Sequence, residues 1–188
     1  MYSFFVRPLH FLSFKQKSAR AQRDLSTAKA LAYTCYQMYA QMTSGLSPEV
    51  AVFHTEGSVE GIWKSQKGST ECDLRAHDSK SFYSLRPEVL ESLYVLYTLT
   101  KDPVYRDWGW EIFNAIETNC RTMFAYGAYK DVTTVGLNAE DKLESFFFAE
   151  TLKYAYLLHD PDTNIDILKD YVFNTEAHLF PLLEKSNV

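Results

Sequence analysis

Four glutamates in this chain of 188 residues stand where an ordinary solvated carboxylate is not expected. Glu150 lies in "SFFFAETLKYAYLL", and its helical neighbours at i−4, i−3, i+4 and i+7 are Phe146, Phe147, Tyr154 and Leu157. Its carboxylate therefore projects from an aromatic face. Desolvating an ionised carboxylate is costly and raises its pKa, so Glu150 requires a partner. Hydroxyl groups or a cation would serve; so would an Arg or Tyr at a core edge, the blander alternative. Glu88 follows Arg86 and Pro87 in "SLRPEVLES", where proline suits the first helical position, placing Glu88 in the first turn with Glu91 one turn on. Acids there gain about 0.3–1 kcal/mol from the helix dipole, which is the commoner reason for them. A carboxylate held rigidly beside an arginine is also what a sugar site or a general base needs. Glu49 in "GLSPEV" repeats the Pro-Glu arrangement at the exit of a loop. Glu176 belongs to "DYVFNTEAHLFPL", where Asn174, Thr175, Glu176 and His178 form a polar centre between apolar flanks.

Positioned carboxylates with aromatic surfaces are the equipment of a glycosidase, which needs acid–base groups and rings to stack on sugars. Aromatics make up 15% of the chain: 13 Tyr, 13 Phe and 3 Trp. Ser-His-Asp, phosphate-cradling glycine and zinc patterns do not occur. Histidines 10, 54, 77, 159 and 178 show no ligand spacing, and Cys35, Cys72 and Cys120 form no CxxC pair. The formal net charge of −5 argues against nucleic acid as the main partner. That charge is uneven: residues 1–23 carry +5 and residues 24–188 carry −10, so the body could favour cations or polyhydroxy ligands. No run approaches a membrane-spanning length, and the apolar start is broken by Arg7, Pro8 and His10, which makes it a poor signal sequence.

Four helices are expected to carry these residues. The first spans 24–42, with Asp24 or Ser26 as its cap and Gly45 and Pro48 closing it. The second begins at "RPEVLESLYVLYTLT". The third follows at once from Asp102 and Pro103, so the two form a hairpin with a short turn. The fourth covers 141–158, and "DPDTNIDILKDYVF" after it resembles the start of a further helical hairpin. Residues 43–85 read as a long irregular stretch, unusual in a compact domain and often functional. The fold class is all-α, built from antiparallel helix pairs around one core.

Longer motifs narrow this picture. "TCYQMYAQMTSGLSPEV", "LRPEVLESLYVLYTLTKDPVYRDWGWEIFNAIE", "DKLESFFFAETLKYAYLL" and "YVFNTEAH" together resemble the class I α-1,2-mannosidases, glycoside hydrolase family 47. The resemblance runs from about residue 24 to about residue 178, leaving 1–23 as an unmatched basic and aromatic segment. It implies that 24–188 is the C-terminal part of a catalytic domain, a portion of an (α/α)7 barrel of helical hairpins. It further implies inverting hydrolysis of terminal α-1,2-linked mannose on high-mannose N-glycans in the endoplasmic reticulum or Golgi, with calcium as cofactor. On this resemblance Glu88 is a catalytic base candidate, and Glu49 lines the same site as a second candidate. Arg86, Phe146, Glu150 and Glu176 bind substrate or calcium-bound water, and Thr175 is the calcium ligand through its hydroxyl and carbonyl. The family's earlier hairpins, which supply its proposed general acid, have no counterpart here, and Cys35 lacks its usual partner. Leu179 replaces a common proline. A truncated mannosidase is therefore expected, with a fragment that binds glycan or calcium without turnover, or a bare scaffold, as rivals.

Overall fold

The computed structural model describes residues 18–53, 74–163 and 165–182, so most of the N-terminal segment 1–23 lies outside the described residues. The first helix, α1, spans Ala19–Ala40. It starts five residues earlier than the expected position 24. Ser18 accepts the Ala21 N–H through its hydroxyl at 3.2 Å, and Arg20 and Asp24 pair at 3.8 Å along the first turns. Asp24 is thus an interior ion-pair residue rather than the cap. Past α1 the chain turns at Gly45, where φ is +74°. Ser44 then donates to the Val132 carbonyl at 2.8 Å, and Asn119 donates to Ser44 at 3.0 Å.

Two short strands interrupt the stretch expected to be irregular. β1 (Ala51–Phe53) pairs antiparallel with β2 (Leu74–Ala76), with Ala51 opposite Ala76. His54 and Cys72, singled out in the sequence, lie outside the described residues between them.

α2 (Glu88–Thr100) and α3 (Val104–Asn119) form the expected hairpin. Lys101 takes the left-handed conformation at φ +58°, and its N–H closes the end of α2 on Tyr97 at 2.8 Å. Asp102 accepts the Val104 N–H at 3.1 Å, as its cap-like place in the sequence suggests. α2 is the central element: it packs on α1, on α3 and on the helix that follows. Leu90, Leu93 and Tyr94 of α2 meet Ile112, Ile116, Phe147, Tyr154 and Leu158 in the core.

The helix expected over 141–158 forms only in its second half. A π-helical turn at Phe147–Thr151 leads into α4, Leu152–His159. Residues 140–142 are taken up by pairing with the preceding loop: Glu140 N–H donates to Ala128 at 2.8 Å, and Ala128 N–H to Lys142 at 3.3 Å. Gly127 permits this approach, since a Cβ there would sit 1.7 Å from the Glu140 oxygen.

The helical hairpin expected after α4 is also absent from the described residues. The Asp166 carbonyl and carboxylate gather the N–H groups of Leu168, Asp170 and Tyr171 into a single turn. A β-hairpin replaces the helix: β3 (Tyr171–Phe173) pairs with β4 (Leu179–Pro181), Tyr171 opposite Pro181. The Tyr-Val-Phe run favours an extended, half-buried surface, and Phe173 packs edge-on against Tyr154 of α4 at 5.7 Å. Among the described residues no helix is long and apolar enough to cross a membrane.

Candidate functional site

One corner of the candidate site is built around Arg86, just before α2. Its guanidinium forks onto Glu49, with Nε 3.2 Å from each carboxylate oxygen and Nη2 3.0 Å from Oε2. The same group lies over the Phe146 ring, 5.6 Å from its centroid. Ser84 N–H adds a third donor to Glu49 at 3.3 Å. The Glu49 hydrogen bonds, ahead of the negative charges of Glu88 and Glu144, hold Arg86 still further above its ordinary pKa against the opposing effect of burial. This corner joins three sequence-expected residues, Glu49, Arg86 and Phe146, which come from three separate segments.

The second half gathers carboxylates with no such cation among them. The Glu150 carboxylate, in the π-turn, has no ion-pair or hydrogen-bond partner among the described residues. Burial pushes its pKa above the usual carboxylate range, and the charges of Glu88, Glu91 and Glu176 push it further; Lys153 opposes them. Neither a core-edge Arg nor a Tyr satisfies Glu150, contrary to the blander sequence alternative. Glu91, one turn past Glu88 on α2, is raised by desolvation and by Glu88, while a hydrogen bond from Tyr154 opposes the shift. Tyr154 is in turn raised well above a normal phenol, by burial first and then by Glu91 and Glu150. The buried Tyr39 and Tyr83 rings pack edge-on at 6.0 Å, and the Glu88 charge adds to the burial that raises both hydroxyls.

The turn between β3 and β4 brings in the last two residues. Asn174 accepts the N–H groups of Glu176 and His178 through its side chain, at 3.0 and 2.8 Å. His178, unassigned in the sequence, thus serves the turn through its backbone. Ala177 sits at φ +54°, and Lys153 of α4 donates to its carbonyl at 2.8 Å, docking the turn beside Glu150. Glu176 and Thr175 are both exposed. No described residue hydrogen-bonds the Thr175 hydroxyl or carbonyl, so both oxygens are open. Two open oxygens in an acidic surround suit a hard, oxygen-seeking cation such as calcium. Among the described residues no group of three or more His, Cys, Asp or Glu is placed to hold a metal, so most ligands would be water or sugar oxygens.

The structure therefore joins six of the seven sequence-expected residues in two adjoining halves, and Thr175 lies next to Glu176 in the turn between β3 and β4. Sequence reasoning passed over Glu91, Tyr154 and Lys153 as site residues. The i+3 step from Glu88 and the i+4 step from Glu150 place Glu91 and Tyr154 on the same faces as those acids, which is the signal available for them.

Comparison with known proteins follows this geometry. The family model described as glycosyl hydrolase family 47 matches residues 5–182. A mannosyl-oligosaccharide 1,2-alpha-mannosidase of Arabidopsis thaliana is 44% identical over 164 residues, 85% of this chain and 26% of its own. The endoplasmic reticulum mannosyl-oligosaccharide 1,2-alpha-mannosidase of Schizosaccharomyces pombe is 37% identical, over 92% of this chain and 31% of its own. Among solved structures, the alpha-1,2-mannosidase from Trichoderma reesei superposes with a TM-score of 0.74 at 35% identity, covering 86% of this chain and 35% of that one. The chain thus spans between about a quarter and just over a third of the length of these relatives. Its helices are part of an (α/α)7 barrel, as expected.

Proposed function

From a chain that belongs to glycosyl hydrolase family 47, we propose the function of a mannosyl-oligosaccharide α-1,2-mannosidase: inverting hydrolysis of terminal α-1,2-linked mannose during N-glycan processing. The observation that carries this reading is the pairing of a clamped Arg86–Glu49–Phe146 corner with an unneutralised cluster of Glu88, Glu91, Glu150 and Glu176. Phe146 and Arg86 offer a ring and a guanidinium to a terminal sugar, and the open carboxylates offer acceptors to its hydroxyls. Glu88, fixed at the mouth of α2, is the base: it takes a proton from the water that attacks the anomeric carbon. The departing glycosidic oxygen needs a proton from an acid on the opposite face of the ring, a role to which no residue of this chain is assigned.

Calcium is the proposed cofactor, held by the hydroxyl and carbonyl of Thr175 with water-mediated support from the surrounding carboxylates. When bound it would supply positive charge beside the sugar hydroxyls, which the acidic half lacks. The names of the relatives in the endoplasmic reticulum support a place in the secretory pathway, there or in the Golgi.

A second reading, binding of glycan or calcium without turnover, is favoured by the small share of the relatives' length that this chain spans. Release of mannose from α-1,2-mannobiose, with and without added calcium, tests the first. The expected result is calcium-dependent turnover that falls at least about 100-fold in Glu88→Gln. Disaccharide binding by calorimetry without any release would favour the second reading, and neither binding nor release would sink both.

A further inference from the structure

Leu85 is fully buried, yet its backbone lies in the left-handed region at φ +59°. For an L-residue with a side chain that conformation is strained, so the surroundings must impose it. A single buried hydrogen bond does so: the Thr151 hydroxyl donates to the Leu85 carbonyl at 2.6 Å, across 66 positions of sequence. Thr151 itself is 1% exposed and ends the π-turn that carries Glu150. Leu85 immediately precedes Arg86 and stands three residues before Glu88. The same bond therefore joins the two segments that hold the two halves of the site. π-turns inside helices gather at functional sites, and here the turn carries both Glu150 and Thr151 and packs against α2. Tyr83 adds a second, longer tie, donating to the Arg86 carbonyl at 3.3 Å.

We propose that Thr151 is a positioning residue that sets the placement of Arg86 and Glu88 against Glu150 by holding Leu85 in its left-handed turn. Thr151 touches no substrate; it acts through the backbone. Without its hydroxyl the Leu85 carbonyl is buried without a donor, and relaxation of Leu85 toward an extended conformation carries the start of α2 with it. Like charges on Glu88 and Glu150 then drive the two carboxylates apart. The proposal deepens the glycosidase reading by naming what spaces its carboxylates, and its geometry stands apart from turnover.

The test is a carboxyl carbon-13 NMR titration of Glu150 in the full chain, in wild type, Thr151→Val and Thr151→Ser, with folding checked by circular dichroism. Thr151→Val keeps the shape and removes the donor, so the Glu150 midpoint is expected to shift downward as Glu88 retreats. Thr151→Ser keeps the hydroxyl and is expected to leave the midpoint in place. A folded Val variant with an unchanged Glu150 midpoint would overturn the proposal, as would a Ser variant that shifts the midpoint in spite of its hydroxyl. Because no sugar and no turnover enters this measurement, failure of the mannosidase assay leaves it intact, and its own failure leaves the assay intact.

Discussion

The two halves of the candidate site handle negative charge in opposite ways. At Arg86 a half-exposed guanidinium, its side chain 40% accessible, neutralises Glu49, whose side chain is 14% accessible, through a two-pronged contact. Beside it, Glu88, Glu91, Glu150 and Glu176 share a region in which Lys153 is the cation that opposes Glu150. The first half is self-satisfied and serves as a fixed wall. The second carries repulsion that only protonation, a cation or sugar hydroxyls can relieve. A binding site differs from a structural ion pair in this respect: its charges are left for something else to answer.

Arg86→Met should break the contrast most strongly, since it strands the Glu49 carboxylate in a poorly hydrated corner. Loss of about 2 kcal/mol in urea unfolding is expected, with Arg86→Met combined with Glu49→Gln regaining part of it. Equal stability of the single variant and wild type would show that water already serves Glu49. Calcium should have the next largest effect, on the other half. Addition at ten times its Kd should stabilise the chain by about 1.4 kcal/mol, read as a rise in Tm, and Thr175→Ala should abolish that rise. A rise that survives Thr175→Ala would move the cation elsewhere.

The smallest effect sharpens the comparison through pH. Glu150 holds its proton more tightly in the folded chain than in the unfolded one, because burial and its acidic neighbours raise it. The folded state thus binds more protons between the ordinary carboxylate value and the raised one, and stability falls as pH rises through that window. Glu150→Gln should therefore raise stability at neutral pH, by less than about 1 kcal/mol after solvent screening and read as a rise in Tm, and the gain should vanish below the ordinary carboxylate range. Glu49→Gln should show no such gain, since its charge is already paired. A Tm gain from Glu49→Gln that matches that of Glu150→Gln would erase the distinction between the halves.

Much of this molecule was legible in the chain, but unevenly. The α2–α3 hairpin follows from Pro87, Asp102 and Pro103, because proline and a capping carboxylate act locally and leave little for tertiary context to alter. The expected fourth helix starts too early because Leu143, Phe146 and Phe147 repeat at helical spacing, while the Lys142 carbonyl is claimed by Ala128 across a loop. "DYVF" reads as part of a further helical hairpin, yet its β-branched and aromatic residues form a β-strand once Phe173 has Tyr154 to pack on. The site residues were found through motif and chemistry, while their pairing was not. Nothing in "GLSPEV" or "SLRPEV" says that Glu49 and Arg86 meet, because 37 residues separate them and the strands β1 and β2 bring their ends together.

The sequence by itself determined the residue types of the site and the helix starts that present them, since both depend on neighbours a turn away. Only the tertiary structure decided which carboxylate is neutralised and which is left open. Charge pairing and desolvation depend on distance through space, and the left-handed turn at Leu85, held by Thr151 from 66 positions away in the sequence, sets that distance.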